Sequence, residues 1–107
     1  MVQREMDKIK IDLPIDRIAN LCRRYQVREL SIFGSAVRQD FRSDSDVDFL
    51  VIFENDDYGP WMGKLTDMEA ELAALLGRPV DLVPKDQLKW VIQEEALREA
   101  KVIYDAA

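Results

Sequence analysis

The chain has 107 residues, 48% of them apolar and 34% charged, with 21 acidic against 15 basic side chains and a net charge of −6. Such a length suits one domain with a single modest core, and the apolar content excludes a disordered chain. The acidic balance, with a pI of about 4.6, excludes a strong nonspecific nucleic-acid binder, which needs a basic stripe.

With no histidine, the chain has no histidine-based zinc site, histidine general base or Ser-His-Asp triad. The single cysteine, Cys22, permits no intrachain disulfide, so a reducing, cytoplasmic setting is expected. Its neighbours Ile18, Leu21 and Tyr25 mark it as a core or boundary residue, not a nucleophile. The first ten residues hold no apolar stretch of signal-peptide type, and no apolar run exceeds the five residues 49–53. Neither a signal peptide nor a membrane span is expected.

Residues 1–10 read as a polar lead-in. Asp12 and Pro14 then make a helix start, and Ile15, Ile18, Leu21, Cys22 and Tyr25 recur at helical spacing, which predicts a helix over 13–25. The basic group Arg23, Arg24 and Arg28 reads as a solvated helix end. Residues 28–33 predict a strand that stops at Gly34, followed by one or two helical turns over 35–40 and a loop over 41–44. Residues 46–53 predict the central strand, and 54–60 an acidic connection.

Met62, Leu65, Met68, Leu72, Leu75 and Leu76 form an amphipathic stripe that ends at Gly77 and Pro79. Residues 80–83 predict a short strand closed by Pro84. Asp86 is placed to cap a last helix with Leu88, Val91, Ile92, Ala96 and Leu97 inward. Val102, Ile103 and Tyr104 suit either an extension of that helix or a small edge strand. This order predicts an α+β domain spanning 1–107, with a mixed sheet and helices packed mainly on one face.

The chemistry lies at three acids. Successive side chains of a strand face opposite ways, so Asp46 and Asp48 share a face, with Cα atoms roughly 6.5–7 Å apart. Asp81 sits in a second apolar run, between Val80 and Leu82. With 21 acids, a chain of this length holds about four acid-x-acid pairs by chance, mostly as solvated charge, so the pair alone says little. Its setting says more, because a carboxylate among strand residues is costly unless paired or metal-bound. Pairing with Arg38, Arg42 or Arg78 is the structural alternative. Carboxylate oxygens suit Mg²⁺ or Mn²⁺, and Mg²⁺ is commonly held by a few carboxylates plus substrate phosphates. Gly34-Ser35 directly follows a strand, where glycine lets backbone approach an anion and the serine hydroxyl adds a hydrogen bond. An isolated Gly-Ser is more often an ordinary turn, and no Walker A pattern is present.

In combination these parts are more specific. The stretch LSIFGSAVRQDFRSDSDVDFLV (residues 30–51), followed by the third-acid run VDLV, resembles the polymerase-β-like nucleotidyltransferase superfamily. The short chain most resembles its minimal MNT-type members, antitoxin partners of HEPN-domain proteins. The resemblance implies that Gly34 and Ser35 hold nucleotide phosphates, with Arg38, where family members often carry an arginine, as a candidate phosphate contact. It implies that Asp46 and Asp48 bridge two divalent ions, Mg²⁺ or Mn²⁺. It further implies that Asp81 completes the site at one ion and helps deprotonate the acceptor. Gln39 departs from the glycine common after that arginine, which affects the loop and not the acids.

The implied activity is transfer of AMP from ATP to a tyrosine of a HEPN-type RNase toxin, in a hetero-oligomer with that partner. Two alternatives stand beside it. One is neutralisation of the partner by contact alone, with Trp61, Trp90, Tyr58 and Tyr104 as anchors or as packing residues, packing being the better reading for Trp90 beside Val91 and Ile92. The other is transfer to a small-molecule acceptor, for which the chain offers no second domain.

Overall fold

The computed structural model describes residues 13–34, 46–55, 60–87 and 97–106. Helix α1 is Ile15–Arg24, inside the predicted span. Its Ile18, Leu21 and Cys22 recur at i, i+3 and i+4 and are buried. Pro14 stands at the N-cap, where its missing N–H costs nothing, and its carbonyl accepts from Ile18 N–H at 2.9 Å. Arg23 and Arg24 lie exposed in the last turn, where cations oppose the negative helix end. Gln26 then takes a left-handed conformation with φ +58, and its carbonyl accepts from Glu54 N–H at 2.8 Å. That bond clasps the start of one strand to the end of the next.

Four strands follow: β1 Val27–Phe33, β2 Val47–Phe53, β3 Val80–Pro84 and β4 Lys101–Asp105. They form one mixed sheet in the order β3-β2-β1-β4. β1 pairs antiparallel with both β2 and β4, and β2 pairs parallel with β3. A parallel pair needs a crossover, supplied here by helix α2, Gly63–Leu76. Gly77 ends α2 in the left-handed conformation, φ +69, as its position predicts.

Both helices cover the same sheet face. Ile18, Leu21 and Cys22 of α1 and Met68 and Leu72 of α2 share one core with Val27, Leu30, Ile32, Val47, Phe49, Val51, Phe53, Leu82 and Ile103. Burying each such side chain contributes about 1.5–3 kcal/mol. Ser31 and Leu50, paired across β1 and β2, are also buried but lie outside that core cluster. The α+β expectation, with a mixed sheet and helices on one face, therefore holds among the described residues.

One open choice is resolved, in favour of the edge strand, and two expectations need correction. Val102–Tyr104 belong to β4, an edge strand, and do not extend a helix. Met62 is exposed and left-handed at the N-cap of α2, so the buried stripe starts at Leu65. Leu97 is exposed where an inward position was expected. Asp86 lies in a short 3-10 turn, Lys85–Gln87. Of the helix it was placed to cap, residues 97–99 are helical and 88–96 fall outside the described residues, as do the turns expected over 35–40 and the loop over 41–44.

Candidate active site

β1 ends at Phe33, and Gly34 turns the chain with φ +74, a conformation open to glycine without strain. Phe33 pairs with Asp48 across the β1–β2 ladder, which brings Gly34 beside the Asp48 side chain. A Cβ at position 34 would stand 2.3 Å from Asp48 Oδ2 and 3.2 Å from its Cγ. Glycine is thus required twice here, for its backbone and for the space the carboxylate fills.

β2 and β3 pair in parallel with no stagger at the acids: Asp48 opposes Asp81, and Phe49 opposes Leu82. Phe49 and Leu82 are buried in the helix-covered core, so Asp48 and Asp81 face the other side together. Neighbouring strands run roughly 4.8 Å apart, which sets the two carboxylates side by side. Asp46 precedes β2 and shares the parity of Asp48. The ladder begins at the next residue, where Val47 N–H donates to the Pro79 carbonyl at 3.0 Å. Asp46 and Asp81 are exposed and Asp48 is half-buried. Among the described residues no ion pair reaches Asp46 or Asp81.

Among the described residues no three acidic groups stand close enough to hold a metal ion unaided. What the strands present is an all-oxygen donor set with open positions, the kind Mg²⁺ occupies when substrate phosphates supply the remaining ligands. The residues fit such an ion in that sense. Ser35, Arg38 and Gln39 lie outside the described residues.

Sequence reasoning missed one nearby group. Glu69 of α2 accepts a hydrogen bond from Leu82 N–H at 2.9 Å, one residue after Asp81. Helical spacing marks Glu69 only as a flank of the buried Met68, and nothing in the pattern points to β3.

Elsewhere the chemistry is structural. Cys22 is buried, and burial pushes its thiol up to about 12, against a smaller opposing effect of Arg23, so it is inert. A shallow groove of about 240 Å³ between α1 and α2, lined by Arg17, Asn20, Leu21, Arg24, Glu71 and Leu75, lies on the helix side, away from the acids. Of the aromatic anchors considered, Trp61 is 99% exposed and Tyr104 packs partly against the core. Tyr58 and Trp90 lie outside the described residues. Among the described residues no helix is long and apolar enough to cross a membrane.

Two acids in register on adjacent strands, one seated on a glycine turn, can be compared with known proteins. Residues 16–107 match the family model "Polymerase beta, Nucleotidyltransferase". The chain belongs to the polymerase beta nucleotidyltransferase family. Within the family it is 48% identical over 81 residues to protein adenylyltransferase MntA of Thermococcus cleftensis, covering 76% of this chain and 77% of that one. A solved structure of a protein assigned as a minimal nucleotidyltransferase matches with a TM-score of 0.66 at 35% identity, over 80% of this chain and 85% of that one. The nucleotidyltransferase fold also matches the complex of tri-AMPylated Shewanella oneidensis HEPN toxin with MNT antitoxin. That likeness has a TM-score of 0.64 at 19% identity and covers 99% of this chain and 74% of the other, a likeness of fold.

Proposed function

We propose that this nucleotidyltransferase is Mg²⁺-dependent, transfers AMP from ATP to a tyrosine hydroxyl of a HEPN-type toxin, and acts as that toxin's antitoxin in the cytoplasm. Residues 1–107 would form one catalytic domain that works in a hetero-oligomer with the toxin. The observation that carries the reading is the unstaggered pairing of Asp48 with Asp81, with the Asp48 carboxylate against Gly34. Support for the substrate comes from the MntA relative, a protein adenylyltransferase, and support for the partner from the AMPylated toxin bound to an MNT antitoxin.

The acceptor oxygen attacks the α-phosphorus of ATP. The bond from that phosphorus to the bridging oxygen of the β-phosphate breaks, and pyrophosphate leaves with the electron pair. The acceptor proton passes to the Asp81 carboxylate. Gly34 presents bare backbone to the phosphates, Ser35 adds its hydroxyl, and Arg38 offsets phosphate charge. Divalent ions held by Asp46, Asp48 and Asp81 would lower the acceptor pKa and stabilise charge on the group in transfer. Asp46 and Asp81 are exposed, which leaves room for an acceptor carried by another protein.

The test is to purify the protein with its toxin partner and add Mg²⁺ and ATP labelled at the α-phosphate. Wild type is expected to label the toxin, and Asp46→Asn/Asp48→Asn is expected not to. Equal labelling by the double variant would sink the reading.

One observation favours a second reading, neutralisation by contact alone. Trp61 is 99% exposed with a left-handed backbone, φ 57. Lys64, one turn on, lies 4.4 Å over the Phe53 ring, so this indole stands at the far end of β2 from the acids. Full rescue from the toxin by the acid variant, together with failure of Trp61→Ala, would establish that reading.

A further inference from the structure

The backbone around Asp81 shows how its direction is fixed. β3 lies at one edge of the four-stranded sheet. Val47 N–H donates to the Pro79 carbonyl, and this sets the parity of the ladder. In a parallel pair, alternate residues turn both backbone groups to the same side. Pro79, Asp81 and Val83 therefore address β2, and Val80, Leu82 and Pro84 turn outward. An outward N–H on an edge strand is a ready template for another strand. Pro84 has no N–H to offer. Leu82 donates its N–H to Glu69 Oε2 at 2.9 Å.

The Asp81–Leu82 peptide is thus held at both ends. The register turns its carbonyl toward β2, and Glu69 takes its N–H from the outside. A planar peptide fixed on both edges leaves the ψ of Asp81 little freedom, and ψ governs where the Asp81 side chain points relative to Asp48. The side chain of Leu82 is buried in the core, so the plane cannot roll outward without unpacking it. Glu69 is itself set by Met68, the preceding residue, which is fully buried.

We propose that Glu69 is a positioning residue, which holds Asp81 in register with Asp48 through the Leu82 amide and so tunes the site's grip on a divalent ion. The inference rests on the functional reading above, in which Asp81 is an ion ligand. An acceptor oxygen is what the device needs, not a charge, so Glu69→Gln keeps it and Glu69→Ala removes it.

The experiment uses the full chain and two measurements: Mn²⁺ affinity in the presence of ATP, read by paramagnetic resonance, and hydrogen exchange at the Leu82 amide. Glu69→Ala is expected to strip protection from Leu82 and weaken Mn²⁺ binding about ten-fold, the usual scale for groups that orient metal ligands. Glu69→Gln is expected to keep both near wild type. Asp81→Asn should weaken Mn²⁺ binding, and adding Glu69→Ala to it should cost little more, since both act through one carboxylate.

Unchanged Mn²⁺ affinity in Glu69→Ala, or losses that simply add in the double variant, would overturn the proposal. Failure of the underlying reading has a different signature. Asp81→Asn would then leave Mn²⁺ affinity unchanged while Glu69→Ala still exposed the Leu82 amide, and the positioning role would fall with it.

Discussion

The two faces of the sheet are built from the same strands, with alternate residues of β2 assigned to each. Toward the helices, Val47, Phe49, Val51 and Phe53 meet Ile18, Met68 and Leu72, and every one of these side chains is buried. On the other side the β2 row begins with Asp48, set beside Asp81 and against Gly34. The first face answers to volume and shape, and the second to the direction of a few oxygen atoms. A change to one should therefore move stability while activity per folded molecule holds, and a change to the other should do the reverse.

The largest expected effect is on the packed face. Phe49→Ala should destabilise the fold by about 3–5 kcal/mol, read as the midpoint of urea unfolding. A domain of this kind holds only about 5–15 kcal/mol in total. Asp48→Asn should move that midpoint far less than Phe49→Ala, and reduce AMP transfer by about 10²–10³-fold, the usual scale for loss of one electrostatic group at a reacting centre. If Asp48→Asn unfolds the protein and keeps its specific activity, the division between faces is wrong.

Gly34→Ala probes the seam between them. The new methyl must displace the Asp48 carboxylate and adopt φ +74, at a cost of about 1–2 kcal/mol. The carboxylate is the mobile end of a side chain, so the fold should survive and nucleotidyl transfer should fall by about ten-fold or more. Thermal unfolding and initial rates on one preparation would separate the two effects.

The smallest effect lies where α1 meets α2, at the Tyr25 hydroxyl and Glu71, beside Arg24. Burial and the Glu71 carboxylate push Tyr25 from 10 up to about 12, so folding favours its neutral form. That contribution is complete below pH 10 and is lost as pH rises toward 12. Hydrogen bonds from Tyr25 and Arg24 pull Glu71 below the usual carboxylate range. Its part holds above the unfolded carboxylate value and disappears as pH falls through the folded one. Tyr25→Phe should flatten the alkaline limb of the stability profile and leave nucleotidyl transfer untouched. A profile identical to wild type between pH 10 and 12 would mean that this contact does not couple to folding.

The sequence made some of this legible and not the rest. Periodicity located α1, and Gly77 located the end of α2, because both depend on neighbours a few residues away. The start of α2 was misread, since the apolar stripe continues into Met62 while Trp61 and Met62 take left-handed backbones. β4 could not be decided: a short apolar run suits either element, and its pairing with β1 is a distant contact. At the site, residue types and spacing singled out Asp46, Asp48, Asp81 and Gly34 as candidates, and the family resemblance alone suggested their roles. Spacing could not say that β2 and β3 are neighbours without stagger, nor that Gly34 supports the Asp48 carboxylate. Glu69 was invisible because its hydrogen bond exists only once the crossover helix lies on the sheet.

The crossover has a consequence for how the molecule comes into being. The β1–β2 pair can place Asp48 against Gly34 early, but Asp81 arrives only when α2 has docked and β3 has found its parallel neighbour. Such non-local pairing is a slow kind of step. A chain caught before that step would hold most of its secondary structure and two of the three site acids, without Asp81 in place. On the proposed reading, in which these acids hold a divalent ion, regain of ion binding on refolding should lag behind regain of helix signal, so that the site reports completion of the fold.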